Sequence, residues 1–264
     1  MFFDVTFLLL IGILAGISSG MFGVGGGVIF VPAIYFYLSY IGVDDNIIPF
    51  VSIATSLFAG SLSSLSSFVN HYIIKNIDFK KAFLLSSGSV VTAVLTPFFV
   101  IKIQPSIFRY VLIVILVLVA LKMFIENGNK NKSSEKKLSN LFLIFFGFIV
   151  GIISSFSGLG GGVIFVPLLV YFYSLDIKRA VGTSALVVFF TMLSSAITFA
   201  LIAKGNGVGI NQIGYVNYFI GIILGGGAII GATFGVRLVK TLNSIMLKKI
   251  FAIFIIIVII KMFF

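Results

Sequence analysis

Long apolar runs separated by short polar gaps make up most of this chain, and the pattern predicts a bundle of membrane helices. Several runs reach the roughly 20 residues that a helix needs to cross a bilayer. The second apolar segment of each half is shorter, and it fits either a tilted helix or one arm of a re-entrant hairpin. About ten hydrophobic segments are predicted, at about 5–22, 28–42, 47–72, 79–100, 105–125, 140–157, 163–175, 177–203, 213–236 and 243–263.

One hydrophilic stretch divides the chain into halves of similar length. It covers residues 126–139 and separates a first transmembrane repeat, 1–125, from a second, 140–264. Glycines and serines recur at matching positions of the two halves, which indicates an internal duplication. Because each repeat has five segments, an odd number, the second copy is predicted to lie upside down relative to the first. The sequence thus predicts an all-α integral membrane protein with two inverted-topology repeats, the plan of secondary transporters.

A glycine-rich interruption follows the first segment of both halves. The sequence GVGGGVIFVP at 23–32 returns as GLGGGVIFVP at 158–167, with one difference in ten positions. Consecutive glycines unwind a helix and free backbone N–H groups for a ligand, and the helix that follows adds the positive end of its dipole. Such backbone is tolerated at membrane depth where it lines a cavity or is buried. We therefore predict an anion site where the two runs meet, with close helix packing as the alternative role of the glycines.

Small polar side chains are predicted to complete this site. Two Thr-Ser pairs occupy matching positions in the segments that follow the glycine runs, where they either donate to the anion or bond to their own helix. The proline that ends each motif is predicted to kink its helix. The predicted helix kinks are at Pro32 and Pro167, and the predicted anion-binding residues are Gly23, Gly25, Gly26, Gly27, Thr55, Ser56, Gly158, Gly160, Gly161, Gly162, Thr183 and Ser184.

Composition supports a membrane protein and argues against several other classes. The chain is 60% hydrophobic and 9% charged, which is too little polar surface for a water-soluble domain of this size. Its net charge of +11 comes from basic residues in the gaps between apolar runs. Membrane orientation explains this charge, so nucleic acid is not an expected partner. Cysteine is absent, and neither a metal nor a cofactor is predicted.

The distribution of lysine and arginine predicts the topology. If the first two segments of each half enter and leave on the same side, fourteen basic residues fall on one side of the membrane and four on the other. If each glycine-broken run is instead a single crossing, the split is ten to eight. The positive-inside rule favours the first arrangement. Both termini are then outside, and the linker is cytoplasmic.

The ionisable side chains argue against an enzyme. All seven acidic residues lie at segment ends or in loops, so no carboxylate pair is available inside the membrane for acid–base chemistry. The single histidine, His71, is predicted to cap a helix or to lie at the interface. A proton relay is the alternative role for this histidine.

The motifs give the chain a family resemblance. The two glycine motifs, Gly182-Thr183-Ser184 and the stretch GATFGVR at 231–237 resemble the sulfite exporter TauE/SafE family of bacterial membrane transporters, over essentially the whole chain. The resemblance implies an exporter of small anions such as sulfite or organosulfonates across the inner membrane. The first half departs from the pattern, because Ala54 replaces the glycine of the Gly-Thr-Ser motif. The alternatives are an anion channel with the same glycine-lined site and a membrane assembly component that transports nothing.

Overall fold

The structure, a computed structural model, describes residues 2–101, 139–202 and 211–263. Ten helices and one small hairpin occupy these ranges. They are α1 (Phe2–Phe22), α2 (Gly27–Tyr40), α3 (Ile48–Ile73), α4 (Phe79–Leu95), α5 (Pro97–Val100), α6 (Asn140–Ser157), α7 (Gly162–Tyr173), α8 (Ile177–Ile202), β1 (Gln212–Ile213), β2 (Val216–Asn217), α9 (Tyr218–Thr241) and α10 (Ser244–Phe263).

Six helical spans among the described residues are long and apolar enough to cross a membrane. They are α1, α3, α4 with α5, α6, α8 and α9. The helices α2 and α7 have only 14 and 12 residues. At about 1.5 Å per residue neither reaches across a hydrocarbon core of about 30 Å. The predicted helical membrane fold is confirmed. The count of ten segments stays a prediction, because the fifth segment and nearly all of the linker lie outside the described residues.

Most predicted segments agree with the described helices to within three residues at each end, but two differ more. The segment predicted at 79–100 is divided between α4 and α5, because Pro97 has no N–H to continue the helical ladder. The segment predicted to begin at residue 213 begins at Tyr218 instead. The preceding residues form the antiparallel pair β1–β2, and Asn217 caps α9 by accepting the N–H of Ile220 at 3.0 Å. Hydropathy alone does not separate this apolar hairpin from the first turns of a helix.

Small residues let the helix backbones approach closely. The helix α1 lies along α9, and α4 lies along α6. A Cβ atom on Gly16 of α1 would lie 2.6 Å from the Cα of Ala228 in α9, and one on Gly88 of α4 would lie 2.8 Å from the N of Phe148 in α6. These faces have no room for a side chain, so glycine is required there.

The helices α3 and α8 pack against each other between these two pairs. Each also contacts a helix of the opposite half, α3 with α9 and α8 with α4. The helix α2 packs on α3, and α7 packs on α8. Every one of these contacts has a counterpart with the halves exchanged, which is what an internal duplication predicts.

The two ends of the bundle differ in charge. At one end, Ser244 donates to Asp176 at 2.8 Å, and the Lys178 ammonium donates to the carbonyl of Lys240 at 3.4 Å. At the opposite end, the loop 41–47 and the hairpin segment 211–217 contain no lysine or arginine, and the loop carries two aspartates. The described helix ends and loops at the basic end carry Lys75, Lys80, Lys81, Lys178, Arg179, Lys240, Lys248 and Lys249.

Candidate functional site

Two helical hairpins open at opposite ends of the bundle and meet near its centre. The hairpin α1–α2 opens at the acidic end, where Leu8, Leu38 and Ile48 belong to one apolar cluster. The hairpin α6–α7 opens at the basic end, where the hydroxyl of Tyr173 donates to the carbonyl of Ser139 at 3.5 Å. We call the residues 23–27 the first tip and the residues 158–162 the second tip.

The two tips are in direct backbone contact. A Cβ atom on Gly27 would meet the carbonyl of Gly158 and would lie 2.8 Å from the Cα of Leu159. A Cβ atom on Gly162 would meet the carbonyl of Gly23 and would lie 2.9 Å from its carbonyl carbon. The two glycine runs of the sequence are therefore adjacent in the structure. Approach this close requires the absence of a side chain at both positions.

Both tips have the same backbone conformation at the start of the next helix. Gly26 has a φ of 81° and Gly161 a φ of 77°, and they are the N-caps of α2 and α7. A residue with a Cβ adopts this left-handed conformation only at a cost, so glycine is required. Among the described residues, the N–H groups of Gly26, Gly27, Gly161 and Gly162 donate no hydrogen bond to a backbone carbonyl. Two helix N-termini thus face the same region with unused donors.

The predicted serines connect each tip to the opposite half. The hydroxyl of Ser56 in α3 donates to the carbonyl of Gly158 at 3.0 Å. The hydroxyl of Ser184 in α8 donates to the carbonyl of Gly23 at 2.9 Å. Both serines are fully buried. Their hydroxyl protons are committed to the tips in this conformation, so the serines determine where the tips lie.

The predicted threonines contact helix caps. The hydroxyl oxygen of Thr55 accepts the N–H of Asn217 at 3.0 Å, and that of Thr183 accepts the N–H of Asp78 at 2.9 Å. Asn217 and Asp78 are the N-caps of α9 and α4. Each threonine therefore anchors the start of a helix from the opposite half, and anion binding by its hydroxyl stays a prediction.

The cap residue Asp78 is also ion-paired. Its carboxylate accepts the Lys81 ammonium at 2.8 Å and the Lys81 N–H at 3.2 Å. Partial burial raises the pKa of this carboxyl, but the hydrogen bonds from Lys81 and the charges of Lys81 and Arg179 outweigh burial and hold the pKa below its usual value. The carboxylate is thus ionised at neutral pH, where it stabilises the N-terminus of α4.

Three residues outside the motifs lie beside one or both tips. A Cβ atom on Gly25 would lie 2.6 Å from the Met192 sulfur, and one on Gly160 would lie 2.7 Å from it. A Cβ atom on Gly60 would lie 2.7 Å from the same sulfur. The γ-methyl of Val188 lies beside both tips as well. Sequence reasoning missed these residues, although Gly60 and Val188 each lie one helical turn after a predicted serine, on the same helix face.

The remaining residues singled out by sequence lie elsewhere. The Nε2 atom of His71 is 3.0 Å from the carbonyl of Gly20, so this buried ring joins α3 to the end of α1. Pro32 and Pro167 lie inside α2 and α7, which continue past them, and their role as kinks stays a prediction. Within the described residues no cluster of three or more His, Asp or Glu side chains is suited to a metal ion.

Removal of the serine hydroxyls is expected to destabilise the protein. In Ser56→Ala or Ser184→Ala the buried carbonyl of a tip loses its donor, which costs about 1–3 kcal/mol. The measurement is the melting temperature of the purified protein in detergent. Ser87→Ala is the matched control, because Ser87 is exposed and bonds only to its own helix. Equal melting temperatures for the three variants would show that the tips are not held by these bonds.

Comparison with known proteins identifies relatives over nearly the full length of the chain. Residues 8–262 match the family described as sulfite exporter TauE/SafE. A probable membrane transporter protein of Haemophilus influenzae is 27% identical over 266 residues, which cover 100% of this chain and 99% of the relative. Another, of Methanocaldococcus jannaschii, is 30% identical over 233 residues, with 88% and 85% covered. The probable membrane transporter protein YunE of Bacillus subtilis is 22% identical, with 92% and 89% covered. No solved structure matches the chain.

Proposed function

The chain belongs to the sulfite exporter TauE/SafE family, and from this premise we propose that it exports small sulfur-containing anions such as sulfite or organosulfonates. It is a membrane transporter and not an enzyme. The proposed mechanism is that of a secondary transporter in the bacterial inner membrane. Its proposed partners are therefore the anion and the lipid bilayer.

The observation that carries the proposal is the contact between the two glycine tips. The first tip lies beside Gly60, half-way along the 26 residues of α3, and the second lies beside Val188, near the middle of the 26 residues of α8. Each tip lies at the N-terminus of a helix, α2 or α7, and a helix N-terminus carries roughly half a positive charge. Two such termini at one place attract an anion in the middle of the bilayer without a charged side chain.

In the proposed site the backbone amides of Gly25, Gly26 and Gly27 and of Gly160, Gly161 and Gly162 hold the anion. Gly23 and Gly158 complete the turns that aim these amides. Ser56 and Ser184 support the tips, and they give their protons to the anion when the tip carbonyls move away. Thr55 and Thr183 act with the serines as the second pair of hydroxyls.

We propose that transport occurs by alternating access around this fixed site. In this scheme the two halves are inverted repeats, and one half rocks against the other. The scheme is supported by hairpins that open at opposite ends of the bundle and by contacts that recur with the halves exchanged. The membrane potential drives export, because it is worth about 2.3 kcal/mol per charge per 100 mV. No proton carrier within the protein is then needed.

The direct test is transport by purified protein in liposomes. A panel of radiolabelled sulfite, thiosulfate and sulfonates is supplied, and uptake is measured against concentration. We expect saturable uptake that unlabelled anion on the opposite side accelerates. A flux without saturation or such acceleration would identify an anion channel. A protein that moves none of these anions would favour the non-transporting assembly component.

The proposed orientation puts the basic end in the cytoplasm and both termini outside. A reporter that fluoresces only in the cytoplasm is expected to stay dark when fused after Phe264 and to fluoresce when inserted into the linker at 126–139. The physical reason is that basic loops are retained on the cytoplasmic side. Whole-cell fluorescence, normalised to the amount of fusion protein, is the measurement. Bright cells with the C-terminal fusion would show that the C-terminus is in the cytoplasm, which contradicts the proposed orientation.

A further inference from the structure

We infer that Met192 closes the anion site and sets the size of the anion that enters it. This inference rests on the proposed function, since it assigns the gate and the size limit of the same site. It concerns one side chain of α8 that neither the glycine motifs nor the hydroxyl pairs include. Three properties of the molecule support it. They are the position of Met192 beside both tips, the difference in side-chain size between α3 and α8, and the chemistry of the thioether.

Met192 and Val188 are side chains that lie beside both tips. The faces of Gly23, Gly27 and Gly162 are in contact with backbone atoms. By contrast, the nearest atoms to a Cβ on Gly25 or on Gly160 all belong to the side chains of Met192 and Val188. In the proposed site an anion held by the amides of both tips takes the place of the Met192 side chain, which therefore has to move aside.

The two halves contribute unequally to this space. With Thr55-Ser56 matched to Thr183-Ser184, Gly60 corresponds to Val188 and Ser64 corresponds to Met192. The helix α3 thus has small residues where α8 has bulky ones, and the Ser64 hydroxyl is turned back to the carbonyl of Gly60 at 2.7 Å. A Cβ atom on Gly60 would lie 2.7 Å from the Met192 sulfur. The side chain from α8 therefore fills the gap that α3 leaves.

The chemistry of methionine suits a movable closure. Its thioether sulfur is only a weak hydrogen-bond acceptor, so it competes poorly with an anion for the amide N–H groups. Its unbranched side chain has three rotatable bonds and adapts to irregular space. Rotation of this side chain opens a space bounded by Gly25, Gly60 and Gly160 without separation of the helices α3 and α8. The volume that the side chain vacates then limits the size of the anion.

A single-cysteine experiment tests the location without a transport assay. The natural chain contains no cysteine, so Met192→Cys creates a unique thiol. A small methanethiosulfonate reagent that carries a sulfonate is expected to modify this thiol, and sulfate, methanesulfonate or sulfoacetate is expected to slow the reaction several-fold. Ile213→Cys is the control, because Ile213 is exposed in the hairpin β1–β2 outside the membrane-spanning helices, and its reaction rate is expected not to respond to these anions. Intact folding is checked by gel filtration.

A transport experiment tests the size limit. Met192→Ala is expected to raise the uptake of benzenesulfonate relative to methanesulfonate by about tenfold, the usual consequence of enlarging an apolar pocket by a few atoms. Met192→Leu nearly conserves the volume and is expected to keep the natural ratio. The leucine variant also shows whether loss of the sulfur itself disturbs folding.

The outcomes separate this inference from the proposed function. Anion protection of the thiol introduced by Met192→Cys, together with the altered size ratio, supports the inference. If the wild-type protein transports anions but this thiol is never protected and the alanine variant keeps the natural ratio, the inference is wrong and the proposed function stands. If the wild-type protein moves none of the anions and the thiol is still protected, the gate stands as part of a binding site, and transport is excluded.

Discussion

Gly26→Val and Gly161→Val are each expected to abolish anion transport and to leave folded protein in the membrane. Both glycines have a left-handed backbone and cap the helix whose amides form the proposed site. Such a conformation costs about 1–3 kcal/mol for a residue with a side chain, whereas a domain is stable by about 5–15 kcal/mol. Each variant is therefore expected to fold with the substituted tip turned away, and this movement takes the amides of that tip out of the proposed anion site.

The measurement is anion uptake into liposomes that contain equal amounts of each variant, with gel filtration as the check on folding. Gly226→Val is the matched control, since a Cβ atom at Gly226 would meet nothing within 4 Å. This control is expected to transport like the natural protein. Normal transport by both Gly26→Val and Gly161→Val would show that the glycine tips do not bind the transported anion.

Gly231→Leu is expected to prevent folding, while Gly226→Leu in the same helix is expected to be tolerated. A Cβ atom on Gly231 would meet the carbonyl of Ile13 and would lie 2.9 Å from the N of Ile17, both in α1. Because these are backbone atoms, the side chain fits only if α1 and α9 separate. That separation forfeits one of the longest helix contacts of the molecule, which is more than the about 1–3 kcal/mol that overpacking usually costs.

Gel filtration of fluorescent fusions in mild detergent measures this difference. We expect aggregated or degraded protein for Gly231→Leu and a single symmetric peak for Gly226→Leu. The two variants carry the same substitution in one helix, so they share the change in helix propensity. Similar peaks for both would mean that α1 and α9 do not pack closely at Gly231.

Much of the helical framework was predictable, because hydropathy and glycine patterns are local properties. The segment predicted at 140–157 has the same bounds as α6, and the one at 177–203 differs from α8 by one residue. The predicted bounds were wrong where an apolar stretch forms a different secondary structure. Residues 212–217 form a hairpin in which Asn217 caps the next helix, and the N–H of Asn217 donates to Thr55, which lies 162 residues earlier in the chain.

The candidate site was only partly predictable for the same reason. The repeated glycines identified both tips, since consecutive glycines in an apolar run have few structural roles. The hydroxyl pairs were also found, but not their partners. Ser56 bonds Gly158 and Thr183 bonds Asp78, and each of these bonds joins residues from opposite halves of the chain.

The sequence by itself determined that this is a helical membrane protein with two glycine-broken hairpins, because apolar length and glycine content act within one segment. Only the tertiary structure decided that the two tips touch, that the serines hold the opposite tip, and that Met192 lies between Gly25 and Gly160. These facts depend on which helices pack together. Such packing is the sum of many weak contacts between residues far apart in the chain, and a pattern read along the sequence does not contain it.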